Sequence, residues 1–383
     1  MINKLALLFC LFPFVLKVMN SDLQPWAFIL IVFAMILASK TRLSHSWRIL
    51  LAVALIIILY RLRFNYDLYD TFRSIPTYLT PVFLLLLFKS DFVSTDTLSK
   101  YIRIALVIYF AYGLMQKFGL DPLRFNDIRP AFDRGFRSLT PEPSMFGFIS
   151  ILLILSLLIL KKATLFDWIV HTGNMLLGLS MSALLAGLPL IPILVFVSSR
   201  KQKLALIIAV LLWVTFYDGL SLFYTDRFSQ LTSIPIQDLI VSDLSINERL
   251  GHLNYIFSQP LHYIFGGFNG WGIDYSDYIK SNPIFVEGSN INNILSGVGS
   301  ILYDGGAFGI IYLYLLFRQW LECKGKLSPV DILILLTWLI VALQSVSFAV
   351  PLLSFPIGCL IFRDRHVFSS LGKPVIYKSP IHW

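Results

Sequence analysis

Charged side chains are scarce in this sequence. Asp, Glu, Lys and Arg make up only 14% of its 383 residues, whereas 57% of the residues are hydrophobic. With a mean hydropathy of +0.74, the chain does not have the composition of a soluble globular protein. Its three cysteines are too few for a disulfide scaffold, and we predict that all three are free thiols. The bilayer is therefore the expected solvent of the chain.

Sequence motifs for metal and nucleotide chemistry are absent. There is no Gly-rich loop ending in Gly-Lys-Ser/Thr, no His-Glu-x-x-His, no Cys-x-x-Cys, and no Asp-x-Asp pair of the kind that holds a metal-bound sugar nucleotide. We therefore predict no metal site and no cofactor. Ion-coupled transporters and pumps usually carry several buried acids, but the apolar runs here hold few ionisable groups beyond Lys17 and His171. The sequence thus disfavours an ion-coupled transporter.

Long apolar runs recur along nearly the whole chain. Crossing the hydrocarbon core of a bilayer takes about 20 apolar residues. Bounding the runs by charges and turn residues gives about 12 transmembrane helices. Two pairs, 165–199 and 329–362, have such short turns that either could instead be re-entrant. The predicted spans are 5–19, 25–39, 48–61, 75–89, 101–118, 144–160, 165–181, 183–199, 203–218, 293–317, 329–345 and 347–362.

Lysine and arginine indicate the direction of these spans, because they stay on the cytoplasmic side in short loops. With the N-terminus inside, most of the 31 Lys and Arg residues fall in cytoplasmic loops, and the alternation holds throughout. The net charge of +9 is then a topology signal and gives no support for nucleic-acid binding. We predict an all-α polytopic membrane protein, one integral membrane domain over 1–383 with both termini cytoplasmic.

Two loops on the opposite side are longer than the rest. One is an arginine-rich loop at 119–143, and the other is a long loop at 219–292 that contains amphipathic helical patterns. Because extra length on one face usually carries function, we expect the protein to work on that face.

Arginines in the first of these loops lie where arginine is least expected. A guanidinium presents several donors in a planar fork and grips phosphate bidentately, which suits a lipid-linked pyrophosphate at the membrane surface. Alternatively, the arginines pair with carboxylates of the same region. The arginines are Arg124, Arg129, Arg134 and Arg137, and the carboxylates are Asp121, Asp127, Asp133 and Glu142.

The segment from Thr140 to Ser144 is typical of a helix start. Thr140 is expected to cap the helix, Pro141 fits the first helical position, and Glu142 lies in the first turn. The Glu142 carboxylate could position an arginine or act as a base toward a sugar hydroxyl, or it could simply complement the helix dipole.

The long loop contains an amphipathic helical pattern at 242–257, which we expect to lie along the membrane. Arg249 falls near its start beside Glu248, either as a functional cation or in a surface ion pair. His252 is a candidate acid or base, since imidazole titrates near neutral pH. Trp271 could stack on a sugar ring or belong to the aromatic belt of the interface. The apolar face comprises Ile246, Leu250, Leu253, Ile256 and Phe257.

An acid occurs in the next apolar run. Asp304 lies about eleven residues into the predicted span 293–317, just before Gly305 and Gly306. A buried acid in a membrane is a functional candidate, whereas a broken or late-starting helix would leave it solvated.

These features together resemble the Wzy-type O-antigen polymerase and O-antigen ligase superfamily of polytopic glycosyltransferases. Many relatives have a His-Asn pair before the closing helix, where this chain has Asn292-Asn293, so a histidine base is not carried over to that position. The resemblance rests on three segments: Arg137 with Glu142-Pro143-Ser144, Arg249 to Pro260 with Gly266-Gly267, and Asn293 to Gly309 with Asp304.

The resemblance implies a polysaccharide polymerase of the bacterial inner membrane whose active face is periplasmic. It would transfer a glycan from undecaprenyl pyrophosphate to a sugar hydroxyl of another lipid-linked repeat unit. Fixed arginines rather than a metal ion would offset the charge on the leaving pyrophosphate. A chain-length regulator and a flippase are the protein partners that fit such an enzyme. The alternatives are an O-antigen ligase and a lipid-linked oligosaccharide flippase, although the charge concentrates in two outer loops, which favours an enzyme.

The same resemblance assigns roles to individual residues. Arg137 and Arg249 would bind the pyrophosphate, Glu142 would orient or deprotonate, and Asp304 is the second candidate base. Arg134 would support the first two arginines. The other substrate-binding candidates are Arg129, Glu248, His252, Trp271 and Asn293.

Overall fold

The computed structural model describes most of the chain as α-helix. The described residues are 2–15, 25–37, 44–64, 68–90, 92–120, 135–178, 180–197, 244–258, 278, 281–282, 284–285, 296–321, 329–344 and 346–370. Within these ranges there is no β-strand, so the all-α class is confirmed for this part of the chain. The helices are α1 (Ile2–Leu11), α2 (Pro25–Leu37), α3 (His45–Phe64), α4 (Leu68–Lys89), α5 (Thr95–Lys117), α6 (Pro143–Ile159), α7 (Leu165–Gly178), α8 (Met181–Gly187), α9 (Leu190–Val197), α10 (Leu244–Ser258), α11 (Gly297–Leu321), α12 (Pro329–Gln344) and α13 (Pro351–Ser370).

Helix α6 lies at the centre of the bundle. Every residue from Ser144 to Ile159 is buried, and the helix packs against α5, α7, α8, α12 and α13. Its sequence carries no charge and is apolar on all sides, which is the pattern of a helix surrounded by other helices. The residues that position the candidate site lie at the start of this helix.

The peripheral helices expose large apolar side chains instead of polar ones. Leu37 of α2 is 65% exposed and Leu59 of α3 is 63% exposed, and similar side chains recur on α7, α9 and α11. An apolar exterior of this kind is typical of a lipid-facing surface. Two helices in the described part of the chain, Thr95–Lys117 and Gly297–Gln319, are long and apolar enough to cross a membrane, and several shorter apolar helices surround them. The apolar helical segments therefore indicate a membrane protein.

Helices α5, α6 and α7 alternate in direction, which gives the bundle two distinct ends. At the Glu142 end, where α6 begins, Ser138 bonds to the last turn of α5, and Phe136 bonds to Leu177 in the last turn of α7. At the Asp167 end, where α7 begins, Arg103 near the start of α5 contacts both Asp167 and the chain just after α6. The two names are used for these ends below.

Several helices begin or end at other residues than the spans predicted from the sequence. In the first span, predicted as 5–19, α1 ends at Leu11, because Pro13 lies two residues further on and cannot continue a helix, and residues 16–19 lie outside the described residues. The span predicted as 183–199 is divided into α8 and α9 around Leu188 and Pro189, for the same reason. Predicted span 203–218 lies outside the described residues, and the starts of α11 and α13 fall four residues later than predicted.

Two of the three cysteines fall within the described residues. Cys10 in α1 and Cys359 in α13 are both buried free thiols, as predicted for these two. Their environment is the apolar interior of the bundle, where a cysteine behaves as a small hydrophobic side chain.

Candidate functional site

The chain that leads into α6 is fixed to the ends of two other helices. Gly135 has φ +90°, and a Cβ at this position would collide with the carbonyl oxygen of Gly178 at the end of α7. The neighbouring Phe136 N–H donates to the carbonyl of Leu177 at 2.8 Å. Only glycine fits this close approach without strain. The segment that carries Arg137 therefore starts from a well-defined backbone position.

Ser138 ties the next residues to α5. Its hydroxyl donates to the carbonyl of Tyr109 at 2.6 Å, and its N–H donates to Oε1 of Gln116 at 2.8 Å. The Gln116 amide in turn donates to the Ser138 carbonyl at 3.3 Å. These contacts hold Ser138 at φ 52°, a conformation uncommon for a residue with a side chain. Arg137 is half-buried between these anchored neighbours.

The helix start differs from the prediction by two residues. Glu142 is the N-cap residue and Pro143 is the first helical residue, so the prediction that Thr140 caps the helix is wrong. The Thr140 hydroxyl instead lies 2.5 Å from the carbonyl of Arg137 and 2.8 Å from that of Glu142. The Glu142 side chain makes no capping bond. The carboxylate is therefore not a capping group, and its role in complementing the helix dipole stays a prediction.

Arg249 meets the start of α6 from a segment more than one hundred residues away. Its Nη1 donates to the Ser182 hydroxyl at 2.6 Å, and its Nη2 lies 3.2 Å from the Ser144 hydroxyl. The same Nη2 is 3.4 Å from Oε1 of Glu142. The Arg249 side chain is only 7% exposed, whereas that of Glu142 is 46% exposed. Arg249 is thus a buried cation, and the alternative that it belongs to a surface ion pair is wrong.

Two serines of this cluster were not predicted as site residues. The Ser144 hydroxyl donates to Oε1 of Glu142 at 2.5 Å, and Ser182 lies 3.0 Å from Ser180, whose side chain caps α8. Ser144 follows Pro143 in the segment that carries the family resemblance, and this was a usable signal. Ser182 gave no signal beyond the polar break of 180–182 between two apolar runs.

Helix α10 confirms the predicted helical pattern, but its buried side is not simply the predicted apolar face. Asn247, Arg249 and His252 are buried together with Ile256, whereas Leu250 and Phe257 of the predicted apolar face are exposed. Burial lowers the pKa of His252 to about 4, so the imidazole is neutral at neutral pH. The same desolvation makes this imidazole, one turn from Arg249, a weaker base than an exposed histidine. That this helix lies along the membrane stays a prediction.

Asp304 lies on α11 just before a break in that helix. Gly306 has φ 50° and ψ −127°, which is not a helical conformation. The fully buried Tyr78 of α4 donates to Oδ2 of Asp304 at 2.9 Å, and Tyr312 on the far side of the break donates to the Tyr78 carbonyl at 2.7 Å. Asp304 is partly exposed. Its neighbour Tyr303 packs against the cluster of α10 that includes Tyr255, so the acid lies beside the helix that carries Arg249.

The structure therefore brings some of the predicted site residues together in one cluster and places the others elsewhere. Glu142 and Arg249 are in contact, His252 lies on the same helix as Arg249, and Glu248 is half-buried beside it. Asp304 is held separately by Tyr78. Four predicted binding residues lie outside the described residues: Arg129, Arg134, Trp271 and Asn293.

The cluster has the chemistry of an anion site. A buried guanidinium offers directed donors, and two serine hydroxyls add further hydrogen-bonding groups that are neutral. The start of α6 contributes positive potential through first-turn amides that have no intrahelical acceptor. Of the three side chains that Arg249 contacts here, Glu142 supplies the negative charge.

Comparison of the sequence with family models and curated proteins, and of the chain with solved structures, gave no match.

Proposed function

We propose that this protein is a polysaccharide polymerase that transfers a glycan from undecaprenyl pyrophosphate to a sugar hydroxyl of another lipid-linked repeat unit. The observation that carries the proposal is the contact between Arg249 and the Glu142–Ser144 segment. These are two of the three segments that resemble O-antigen polymerases and ligases, and they come from two different loops. A site assembled from both loops would lie on the face where both were predicted to project.

The proposed topology is one of about 12 spans with both termini in the cytoplasm of a bacterium and the Glu142 end on the periplasmic face of the inner membrane. The alternating directions of α5, α6 and α7 support it. The distribution of lysine supports it as well, because Lys161 and Lys162 lie at the Asp167 end, where positive charge is expected on the cytoplasmic side.

In the proposed reaction, a hydroxyl oxygen of the acceptor sugar attacks the anomeric carbon of the donor. The bond between that carbon and the phosphate oxygen breaks, and undecaprenyl pyrophosphate leaves with the bonding electrons. Arg249 would stabilise the charge that develops on the leaving phosphate, and Arg137, in the segment that leads into α6, would contribute as a second cation. The hydroxyl proton would pass to Glu142, Asp304 or His252, and the geometry leaves these three bases as alternatives.

The test is polymer formation by the purified protein in lipid with a synthetic undecaprenyl-pyrophosphate repeat unit. We expect a ladder of products from the wild type. Arg249→Ala should lower the rate by about 100-fold or more, because one preorganised donor to the leaving group is lost. Arg249→Lys should recover only part of the rate, since a point charge does not replace the planar fork.

A matched control is available at the other end of the bundle. Arg363 of α13 also contacts a carboxylate, Asp331, and a main-chain carbonyl, so Arg363→Lys removes a fork without touching the proposed site. This variant should keep the wild-type rate. Absence of any ladder from folded wild-type protein would refute the polymerase proposal. If Arg249→Ala in cells trapped repeat units on the cytoplasmic leaflet, the flippase alternative would be favoured instead.

A further inference from the structure

Burial is distributed unevenly between the two partners of the Arg249–Glu142 pair. The arginine side chain is 7% exposed and is enclosed by α6, α8 and its own helix. The glutamate side chain is 46% exposed at the mouth of the cluster. The carboxylate is therefore able to leave by a side-chain rotation, whereas the guanidinium cannot leave without the movement of a helix.

The contact with Glu142 is also the longest of the three that Arg249 makes with Ser182, Ser144 and Glu142. The distance from Nη2 to Oε1 is 3.4 Å, compared with 2.6 Å to Ser182 and 3.2 Å to Ser144. A strong charge-assisted hydrogen bond is about 2.7–2.9 Å long. Both hydrogen bonds that the described residues make to the carboxylate reach the same atom, Oε1. Loss of Glu142 would leave the two serine contacts in place, and these would keep the guanidinium oriented.

The backbone around Glu142 favours such a change. Pro141 and Pro143 flank the residue, and its φ of −147° and ψ of 157° are those of extended chain. The side chain is not used to cap α6. A rotation of the carboxylate therefore disturbs no helix-capping bond.

We propose that Glu142 is a displaceable counter-ion that occupies Arg249 until a phosphate group of the donor takes its place. This proposal rests on the proposed function, because it names the diphosphate of a polyprenyl-linked glycan as the group that displaces the carboxylate. Before the donor binds, the carboxylate offsets the buried positive charge, which would otherwise be costly to bury. In the occupied site the phosphate supplies that negative charge, and Glu142 turns outward.

The exchange predicts that Glu142 competes with the donor. The apparent dissociation constant equals the intrinsic constant divided by the fraction of molecules in which the carboxylate is displaced. A partly exposed ion pair of ordinary strength keeps that fraction low, and its removal should tighten binding by about three- to ten-fold. A glutamate that merely supports the phosphate site would give the opposite result, because its loss would weaken binding.

The experiment measures equilibrium binding of geranylgeranyl pyrophosphate to the purified full chain in detergent. We expect Glu142→Gln and Glu142→Ala to tighten binding by about three- to ten-fold and Arg249→Lys to weaken it. Asp96→Asn is the matched control, because Asp96 is an exposed carboxylate in an ion pair with Lys162 at the other end of the bundle. This variant should bind as the wild type does.

A measurement on the wild type keeps the test independent of how the variants fold. Carbodiimide-and-amine labelling of the Glu142 carboxylate, scored by mass spectrometry against Asp96 as internal reference, should increase when geranylgeranyl pyrophosphate is added. Unchanged or reduced labelling, or unchanged or weaker binding by both Glu142 variants, would overturn the exchange. If Arg249→Lys still weakened binding, the phosphate site would stand without the exchange. If the wild type bound no diphosphate at all, the proposed function itself would fail.

Discussion

The two ends of the bundle hold arginine–carboxylate pairs of opposite construction. At the Asp167 end the carboxylate is fully buried and Arg103 reaches it from a position 36% exposed. At the Glu142 end the arginine is buried and the carboxylate reaches in from outside. Both pairs join residues that are far apart in sequence. The difference lies in which charge the fold has enclosed.

Asp167 is enclosed with both of its carboxylate oxygens hydrogen-bonded. Arg103 donates from Nε to Oδ1 at 2.7 Å and from Nη2 to Oδ2 at 3.0 Å, which is the bidentate geometry. Thr164 donates both its N–H and its hydroxyl to Oδ2, and it accepts from the Asp167 N–H, as in a capping box. A buried charge satisfied in this way stabilises the start of α7. The Asp167 carboxylate is therefore not suited to bind a ligand.

Arg249 is enclosed in a different manner. Its directed contacts to Ser144 and Ser182 are neutral, and its contact with Glu142 is long and accessible. A buried cation whose contact with a carboxylate is long and half-exposed is able to exchange that carboxylate for another anion. The comparison therefore separates an arginine that supports the structure from one that is suited to bind a ligand.

The largest effect on stability is expected at the Asp167 end. Arg103→Ala leaves a fully buried carboxylate without its main partner, which should lower the free energy of unfolding by roughly 3 kcal/mol. The double variant Arg103→Ala/Asp167→Asn removes the buried charge as well and should recover part of the loss. The measurement is the thermal unfolding midpoint in detergent. A smaller loss for Arg103→Ala than for Arg249→Ala would contradict the assignment of Arg103 to the structural end.

The second effect concerns the backbone at the Glu142 end. Gly135→Ala combines a positive φ with a collision against the Gly178 carbonyl, so we expect a loss of roughly 2 kcal/mol in unfolding free energy. Gly119→Ala is the matched control, since Gly119 also has positive φ, at +75°, but a Cβ added there would meet no atom within 4 Å. Its loss should be about 1 kcal/mol. Equal losses in thermal unfolding would show that Gly135 does not position the segment by its close contact.

The third effect depends on pH. His252 shares the buried polar side of α10 with Arg249, and burial lowers its pKa to about 4. An unfolded histidine has a pKa near 6.5, so below that pH the unfolded chain binds more protons than the folded one. Stability is thus fully present above about pH 6.5 and falls as the pH decreases toward 4, by about 2 kcal/mol between pH 7 and pH 5.

His252→Gln should remove this part of the pH dependence. Gln keeps a polar side chain but does not titrate, and His171 remains in both proteins, so the difference between the two stability curves isolates His252. The measurement is the unfolding midpoint of each protein at pH 7 and pH 5. The same pH dependence in both proteins would show that His252 is not buried as a neutral imidazole. It would also argue against the burial of the polar side chains around Arg249.

The sequence predicted part of this architecture because some signals are local. The uncharged run after Ser144 gives a buried helix, and the prolines around Glu142 give its start to within two residues. Two prolines spaced two apart produce the same local signal at either register, so Thr140 and Glu142 could not be told apart as caps. Arg249 and Glu142 were each selected from their own loops, and the structure brings them into contact.

Other features depend on packing that no local pattern reports. The apolar period of α10 predicts a helix but does not tell which side meets the protein, and Leu250 and Phe257 are exposed although Ile256 is buried. The contact of Ser182 with Arg249, and that of Tyr78 with Asp304, join residues 67 and 226 positions apart. A single serine or tyrosine in an apolar run carries no spacing from which such a partner follows.

The smallest effect tests whether burial is the property that separates the two ends. Lys162 and Asp96 also form an ion pair at the Asp167 end, with N and O 3.1 Å apart, but their side chains are 46% and 86% exposed. Lys162→Ala should change the free energy of unfolding by no more than about 0.5 kcal/mol, because solvent screens such a pair and ordering two side chains opposes it. The thermal midpoint, compared with that of Arg103→Ala, gives the answer. A loss comparable to that of Arg103→Ala would mean that the position of a pair in the bundle, and not the burial of its charge, determines its contribution to stability. Exposure would then no longer distinguish a structural arginine from a ligand-binding one.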